Sequence, residues 1–285
     1  PNEDSRQKGD VDQVGPMAGR LIRQTQDLPA GTVDVILWPE TAIPLDWRAD
    51  PVLAERIRGL AAQRGAPLLA GTALTPEDGG PAVNAVLRVD PDGAVTEVYA
   101  KRVLVPFSEY WPAGRIWSWL RRLAPGEGFS FRPGTAPGLV TLAAVDGPVT
   151  LGLLLCSEDT LSWPARQYAR QGAAALVVLL NDGWFADPSA AILHLQNAVL
   201  RAVETGRPVI RAANSGWSGV IDAYGRRLSG RSLPLGQAGA AVCPVPPPAR
   251  EGAYGFFPAA LFLFCGGFVI MNGLCWWRGK AGSAT

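Results

Sequence analysis

Histidine is scarce in this sequence, and its scarcity counts against several kinds of catalytic site. The 285 residues include one histidine, His194. A Ser-His-Asp or Cys-His hydrolase would have to use it, and the Gly-x-Ser-x-Gly turn that presents a serine nucleophile is absent. A metal site built from several histidines is disfavoured for the same reason. We expect no bound metal and no cofactor, and we expect His194 to be structural or substrate-facing rather than a base.

Cysteine pairs and net charge are also lacking. The four cysteines form no Cys-x-x-Cys motif, and a disulfide framework is not expected in a domain of this size. Cys265 and Cys275 share an apolar segment, whereas Cys243 lies in a strand-like run, AVCPVP. The formal net charge of +1 leaves no broad basic face, so no nucleic-acid partner is expected.

An initial methionine and a signal peptide are missing too. The sequence begins in a polar stretch, PNEDSRQKGD, where a secretory signal would have an apolar core. We therefore expect the chain to be the C-terminal part of a longer protein.

The clearest feature that is present is an apolar run near the C-terminus. Residues 256–277 read FFPAALFLFCGGFVIMNGLCWW and contain no charge in 22 positions. As a helix this run is about 33 Å long, close to the roughly 30 Å core of a bilayer. Two tryptophans followed by Arg278 and Lys280 are typical of an interfacial belt and a cytoplasmic anchor. We predict a transmembrane helix rather than a buried core helix, a cytoplasmic tail over 278–285, and a main domain on the opposite face.

The rest of the chain alternates helical and strand patterns, which predicts a mixed α/β domain over 1–243 with helices covering sheets. A proline-rich linker, PVPPPAREGAYG, occupies 244–255. The sequence Asp90-Pro91-Asp92-Gly93 predicts a hairpin turn. The helical patterns fill 11–27, 51–64, 160–171 and 189–205. The strand patterns are VDVILW, PLLAGT, AVLRVD, VTEVYA, VTLGLLL, ALVVLL and PVIRAA.

A long connection over 101–138 carries three tryptophans and three arginines in its middle. Connections of this length are usually functional or disordered. An amphipathic, cationic, tryptophan-rich segment suits a membrane interface. The alternative is an arm that packs on the domain's own surface. The residues concerned are Trp111, Trp117, Trp119, Arg115, Arg121 and Arg122.

Three predicted strands end in a residue with reactive chemistry: Glu40, Lys101 and Cys156. Each has an ordinary explanation, as a capping acid, a surface lysine and a core thiol, and local sequence alone favours the core thiol. If the strands were parallel neighbours, their tips would converge. A thiol needs a base at neutral pH, which Glu40 can supply, and Lys101 can stabilise an oxyanion.

The sequence around these residues resembles the nitrilase superfamily, whose Glu-Lys-Cys triad matches WPET, YAKRVLVPFSEYWP and LLLCSED. Within it, the chain is most similar to the apolipoprotein N-acyltransferase family. That similarity extends to NDGWF, to HLQNAVLRAVETGRPVIRAANSG and to the C-terminal apolar run. The motif KxxLVPFxEY distinguishes this branch from soluble amidases.

The resemblance implies an α-β-β-α sandwich followed by one membrane helix, on the periplasmic face of the bacterial inner membrane. It implies transfer of an acyl chain from a phospholipid, with phosphatidylethanolamine the expected donor, to the diacylglyceryl-cysteine of a lipoprotein. Cys156 would be the nucleophile that forms a thioester, Glu40 the general base and Lys101 the oxyanion stabiliser.

Three further residues receive roles from the same resemblance. Glu109 would be an auxiliary acid, and Glu158 would orient the pocket. Ser157 stands where the family commonly has an aromatic residue, so we expect its backbone N–H to serve the oxyanion hole and the acyl pocket to change shape. The family's N-terminal membrane helices and the domain's first strand are expected to lie outside this sequence.

Two other functions remain open on the sequence. A membrane-tethered amidase or nitrilase-type hydrolase would use the same triad with water as the acceptor. A non-catalytic anchored interaction domain would retain the triad without using it.

Overall fold

The structure, a computed structural model, describes residues 2–3, 11–28, 33–112, 130–185, 187–228, 230 and 232–249. Its helices are α1 (Val11–Gln26), α2 (Pro51–Arg64), α3 (Ser162–Arg170) and α4 (Pro188–Thr205). Its strands are β1 (Ile36–Ile43), β2 (Leu68–Leu74), β3 (Val83–Val89), β4 (Val95–Ala100), β5 (Leu139–Ala144), β6 (Gly147–Leu155), β7 (Ala175–Asn181), β8 (Val209–Asn214) and β9 (Gly219–Ile221). The four predicted helices and the seven predicted strands are all confirmed, whereas β5 and β9 were not predicted.

The strands form two sheets. The first has the order β1-β2-β3-β4, and the second has the order β5-β6-β7-β8-β9. In the first sheet only β1 and β2 pair in parallel, while in the second β6, β7 and β8 are parallel. Because parallel strands are usually buried on both faces, their continuous apolar sequences, such as ALVVLL, fit the centre of the second sheet.

Three apolar clusters within the described residues form the layers of the domain. One cluster joins the facing surfaces of the two sheets, one packs α1 and α2 on the first sheet, and one packs α3 and α4 on the second. This is the predicted α-β-β-α sandwich. The buried residues between the sheets include Leu69, Val86, Leu142, Leu153, Leu155, Val177 and Leu179.

Two helices begin and end as their sequences dictate. Asp50 and Asp187 cap the starts of α2 and α4, where each side chain accepts backbone hydrogen bonds at 2.8–3.1 Å. A proline follows each aspartate at the first helical position, where its missing N–H costs nothing. Gly65 and Gly206 end the two helices in the left-handed conformation.

The predicted hairpin turn is confirmed, while the predicted strand around Cys243 is wrong. Gly93 closes the turn with a hydrogen bond to the carbonyl of Asp90 at 2.9 Å. Residues 240–249 form no regular secondary structure. Four prolines between 244 and 248 remove the N–H groups that a strand ladder needs. The segment instead lies along the domain, where Ala249 N donates to Gly206 O at 2.9 Å.

Within the described residues, no helix has the length and apolar character needed to cross a membrane. The predicted membrane helix over 256–277 and the tail over 278–285 lie outside the described residues. The same holds for 113–129, which contains most of the tryptophans and arginines of the long connection.

A bulge in β1 positions the first site residue. Between the pairs Trp38↔Ala70 and Ile43↔Thr72, β1 contains more residues than β2. The extra residues of β1, which include Glu40, form a β-bulge. Gly71 of β2 lies beneath this bulge. A β-carbon at Gly71 would lie 2.4 Å from the carbonyl oxygen of Pro39 and 2.7 Å from the α-carbon of Glu40. The bulge therefore requires glycine at this position.

Replacing Gly71 with alanine is expected to destabilise the fold, because the new methyl group meets backbone that has no room to move. We expect the free energy of unfolding to fall by about 1–3 kcal/mol, measured by urea denaturation. Gly59→Ala is the matched control: Gly59 is exposed on α2, and a β-carbon added there would have nothing within 4 Å. This control should be neutral or more stable by about 0.5–1 kcal/mol. Equal stabilities of the two variants would contradict the steric argument.

Candidate active site

The structure brings Glu40, Lys101 and Cys156 together, but not in the way that adjacent parallel strands would. Glu40 lies on β1 and Lys101 follows β4, the two outer strands of the first sheet. Cys156 follows β6 of the second sheet. The three residues meet because the two sheets face each other and their corresponding ends coincide. The idea of three neighbouring strands is wrong, whereas the convergence of their tips is correct.

Lys101 is the centre of the cluster. Its ammonium group is 1% exposed and donates to Glu109 Oε1 at 2.7 Å and to Glu40 Oε1 at 3.4 Å. Burial by itself lowers the pKa of Lys101, but the negative charges of Glu40, Glu109 and a Cys156 thiolate outweigh this effect and raise it. Lys101 is therefore a fixed cation and cannot act as a base.

Asn84 completes this cluster and was not singled out from the sequence. Its side-chain amide donates to Glu40 Oε1 at 2.8 Å and to Glu109 Oε1 at 3.4 Å. Its backbone carbonyl accepts from Lys101 N at 2.8 Å. Asn84 thus fixes both carboxylates next to the ammonium group of Lys101. The sequence feature that could have identified Asn84 is its amide side chain within the otherwise mostly apolar strand VNAVLRV.

Glu109 is held by the loop that follows Lys101. Its Oε2 accepts from Val105 N at 2.7 Å, which leaves Oε1 directed at the lysine. Its backbone carbonyl accepts from Phe131 N at 2.7 Å, so the far end of the long connection is fastened to the same loop. The predicted auxiliary acid therefore lies next to Lys101.

Cys156 has a backbone conformation that is unusual for its residue type. Its φ is +47°, in the left-handed region, and it begins a short 3-10 helix, Cys156–Thr160. Although the residue is partly exposed, burial of the thiol raises its pKa well above the ordinary value. The charge of Glu40 and a hydrogen bond to that carboxylate raise it further, and Lys101 lowers it only in part. The resting thiol is therefore protonated and paired with its base.

Glu158 is buried and accepts hydrogen bonds from the chain after Lys101 and from the end of β6. Its Oε1 accepts from the backbone N–H groups of Arg102 and Val103 at 2.8 and 3.0 Å, and its Oε2 accepts from Leu155 N at 2.9 Å. Tyr99 donates its hydroxyl to the same carboxylate at 2.7–2.8 Å. Burial raises the pKa of Glu158, and these donors oppose that effect. The carboxylate fixes the chain beyond Lys101 against the strand that ends at Cys156.

Ser157 is half-buried in the 3-10 helix, where its carbonyl accepts from Thr160 Oγ1 at 2.7 Å. The role of its backbone N–H in an oxyanion hole stays a prediction.

A second group of ionised residues lies directly behind Cys156. His194 on α4 contacts Asp182 and Asp159 at 2.8 Å each, and Arg211 on β8 lies 3.3–3.4 Å from the same two carboxylates. All four side chains are buried. A structural or substrate-facing position was expected for His194 from the sequence, without its partners. An ion pair between separate elements leaves no spacing pattern, so only the folded structure reveals it.

Backbone strain is concentrated at the same end of the sheets. Among the residues that the structure describes, four that are not glycine have positive φ values of 43–65°: Thr41, Phe107, Cys156 and Ser215. Thr41 follows Glu40, Phe107 lies in the loop after Lys101, and Ser215 follows β8. Strained backbone persists where surrounding contacts fix it, and it is common at active sites.

The described cavity lies away from this cluster, and the described residues hold no candidate metal site. A cavity of about 780 Å³ is lined by parts of α1, β1 and 239–248, and none of the three central residues contributes to it. Among the residues that the structure describes, no group of three or more His, Cys, Asp or Glu side chains could hold a metal ion.

The profile of the carbon-nitrogen hydrolase family matches residues 7–243. The chain belongs to the carbon-nitrogen hydrolase family. The fold agrees, because the structure superimposes on a CN-hydrolase superfamily protein from Xanthomonas campestris with a TM-score of 0.58, covering 78% of this chain and 82% of that one at 19% identity. An amidase from Nesterenkonia sp. gives a TM-score of 0.52, covering 79% and 80% of the two chains at 20% identity.

Curated relatives within this family are apolipoprotein N-acyltransferases, as the sequence resemblance indicated. The protein from Geobacter metallireducens is 36% identical over 69% of this chain and 37% of its own length. The protein from Brucella melitensis is 37% identical over 80% of this chain and 43% of its own length. The chain thus spans less than half the length of these relatives.

Removing the charge of Glu40 in this member of the carbon-nitrogen hydrolase family should make the thiol of Cys156 more acidic. In Glu40→Gln, we expect the pH midpoint of Cys156 alkylation by iodoacetamide to fall by about one unit or more, because a neighbouring anion raises a thiol pKa. Peptide mass spectrometry separates Cys156 from the other three cysteines of the sequence. Glu97→Gln, an exposed change on β4, should keep the wild-type midpoint. An unchanged or higher midpoint in Glu40→Gln would show that the carboxylate does not control the thiol.

Replacing Glu158 with glutamine should destabilise the domain, because an amide NH₂ would face backbone donors that now have an acceptor. We expect a loss of about 1–3 kcal/mol in the free energy of unfolding for each buried donor left without a partner. Glu55→Gln, exposed on α2, is the control and should be neutral. Urea denaturation makes the comparison, and equal midpoints for the two variants would refute the proposed anchoring by Glu158.

Proposed function

We propose that this protein is an N-acyltransferase that moves a fatty acyl chain from a phospholipid to the N-terminal diacylglyceryl-cysteine of lipoproteins. The observation that carries this function is the buried Glu40–Lys101–Cys156 cluster in a chain 36–37% identical to apolipoprotein N-acyltransferases. The domain would lie on the extracytoplasmic face of a bacterial inner membrane, with 256–277 as its transmembrane helix. Phosphatidylethanolamine would be the acyl donor.

In the first step Cys156 attacks the ester carbonyl of the phospholipid. Glu40 takes the thiol proton as the sulfur–carbon bond forms, and Lys101 stabilises the negative charge on the carbonyl oxygen, together with the backbone N–H of Ser157. The carbon–oxygen ester bond then breaks, and Glu40 returns the proton to the departing alcohol of the lysophospholipid. The product of this step is a thioester on Cys156.

In the second step the α-amino group of the lipoprotein attacks the thioester. Glu40 accepts a proton from the amine, the carbon–sulfur bond breaks, and an amide remains on the lipoprotein while Cys156 regains its proton. Glu109 would keep Lys101 in place through both steps. Glu158 would hold the two walls of the pocket together.

Exposed apolar side chains on the segment after β7 and on α4 fit a lipid donor. Trp184 and Phe185 follow β7, and Ile192 and Leu193 lie on α4; these four side chains are 44–67% exposed. Phe185 lies 6.3 Å from the ring of His194, which contacts the carbonyl of Cys156. An exposed aromatic side chain this close to the cysteine favours a substrate with an acyl chain over a small polar amide.

The acyl intermediate gives a direct test. Incubating the complete protein with phosphatidylethanolamine in detergent should add one acyl mass to Cys156, detected by intact-protein mass spectrometry and removable by hydroxylamine. Cys156→Ser should abolish the adduct because the nucleophile is lost. Glu40→Ala should abolish it because the base is lost.

The acceptor distinguishes transfer from hydrolysis. Adding a diacylated lipopeptide with a free amine should discharge the thioester and yield the N-acylated peptide, whereas the N-acetylated peptide should leave the thioester intact. Discharge by water at the same rate with either peptide, or cleavage of small amides without phospholipid, would favour the hydrolase. Absence of an adduct with bound phospholipid would overturn the proposed function.

A further inference from the structure

The ion cluster behind Cys156 is arranged so that His194 must carry a positive charge. Its Nδ1 lies 2.8 Å from Asp182 Oδ1. Its Nε2 lies 2.8 Å from Asp159 Oδ1 and 3.2 Å from the backbone carbonyl oxygen of Cys156. These groups are all acceptors, so each ring nitrogen must donate a proton, which only the imidazolium can do.

The charges of the cluster balance. Arg211, which is fully buried, lies 3.3 Å from Asp159 Oδ2 and 3.4 Å from Asp182 Oδ2, and it donates to the backbone carbonyl of His194 at 3.2 Å. Two cations therefore face two carboxylates. Arg201, also on α4, donates to the backbone carbonyl of Asp159 at 3.3 Å. The cluster joins α4, β8 and the segments after β6 and β7.

Cys156 needs such support, because its conformation is costly. A non-glycine residue at positive φ is strained, and this conformation persists only where surrounding contacts fix it. The φ of +47° turns the peptide between Cys156 and Ser157 out of the line of β6. The carbonyl oxygen of that peptide is the group that His194 binds.

We propose that His194 is a positioning residue for Cys156: its imidazolium, held by Asp159 and Asp182, donates to the carbonyl oxygen of Cys156 and fixes the nucleophile in its left-handed conformation. The proposal rests on the function proposed above only for the identity of the reaction that the cysteine performs. His194 acts through the backbone of Cys156, and it neither accepts the thiol proton nor contacts the reacting bond.

The cluster also determines how this support depends on pH. Burial lowers the pKa of His194, but the carboxylates of Asp159 and Asp182 outweigh burial and raise it from 6.5 to about 9, while Arg211 opposes them. Because the folded-state pKa is raised, the contribution of the imidazolium is complete below about pH 6.5 and is lost as the pH rises through about 9. The thiol of Cys156 and the ammonium of Lys101 keep their protons in this range, since their pKa values are raised.

Two substitutions separate positioning from a general structural role. The amide nitrogen of His194→Gln can reach the place of Nε2 and donate to the Cys156 carbonyl, whereas that of His194→Asn replaces Nδ1 and leaves the carbonyl without a donor. Both variants lose the positive charge. Gln196→Asn, an exposed change on the same helix, is the control and should behave as wild type.

The measurement is the burst of p-nitrophenol released when a p-nitrophenyl acyl ester acylates Cys156, with the background taken from Cys156→Ser. A misplacement of about 1 Å can cost on the order of 100-fold in rate. We expect His194→Asn to lose about 10–100-fold in burst rate and His194→Gln to stay within about 5-fold of wild type, by the same reasoning. The wild-type rate should fall as the pH rises through about 9, and the rate of His194→Gln should not.

Equal burst rates in the two variants, for folded protein, would overturn the proposal, and so would an alkaline fall that persists in His194→Gln. If His194→Asn does not fold, the pH profiles of wild type and His194→Gln still decide between the outcomes. The activated ester requires neither phospholipid nor lipoprotein. A normal burst with no transfer from phospholipid would therefore count against the proposed function and leave the positioning role intact.

Discussion

The site depends on one buried ammonium group that serves two carboxylates. Lys101 neutralises only one of the two charges of Glu40 and Glu109, so the cluster keeps a net negative charge beside Cys156. Loss of the thiol proton to solvent would add a second negative charge in a buried place, which accounts for the raised pKa of the thiol. Transfer of that proton to Glu40 leaves the total charge unchanged. The electrostatics therefore favour an internal base and explain why the carboxylate must lie within reach of the sulfur.

The fold brings this cluster together at the cost of local strain. Each sheet contributes reactive residues only at its ends, where the bulge in β1 and the left-handed Cys156 depart from regular geometry. Glu158 and the His194 cluster both contact the chain next to the cysteine and consist of buried, hydrogen-bonded charges. Removing one member of such a group leaves the others unpaired in a buried place, which is costly.

Much of this architecture could be predicted from the sequence, because it depends on short-range patterns. Apolar patterns located the helices and most strands, and the position of Glu40, Lys101 and Cys156 at strand ends located the reactive residues. The sequence could not show that β4 and β6 belong to different sheets, since pairing is decided by packing. Asn84 and the partners of His194 were missed for a related reason: their function comes from tertiary contacts between polar residues that look ordinary in sequence. The run around Cys243 looked strand-like in sequence, but the prolines that follow it remove the N–H groups that a strand ladder needs.

The protonated state of Cys156 has a consequence for the lifetime of the protein. Peroxides and disulfides react with thiolates, and low-pKa cysteines are the ones most readily converted to sulfenic acid. A cysteine that keeps its proton until a carbonyl group approaches Glu40 and Lys101 offers these oxidants little to attack. The charge arrangement that prepares the residue for its substrate thus also protects it chemically while no substrate is bound.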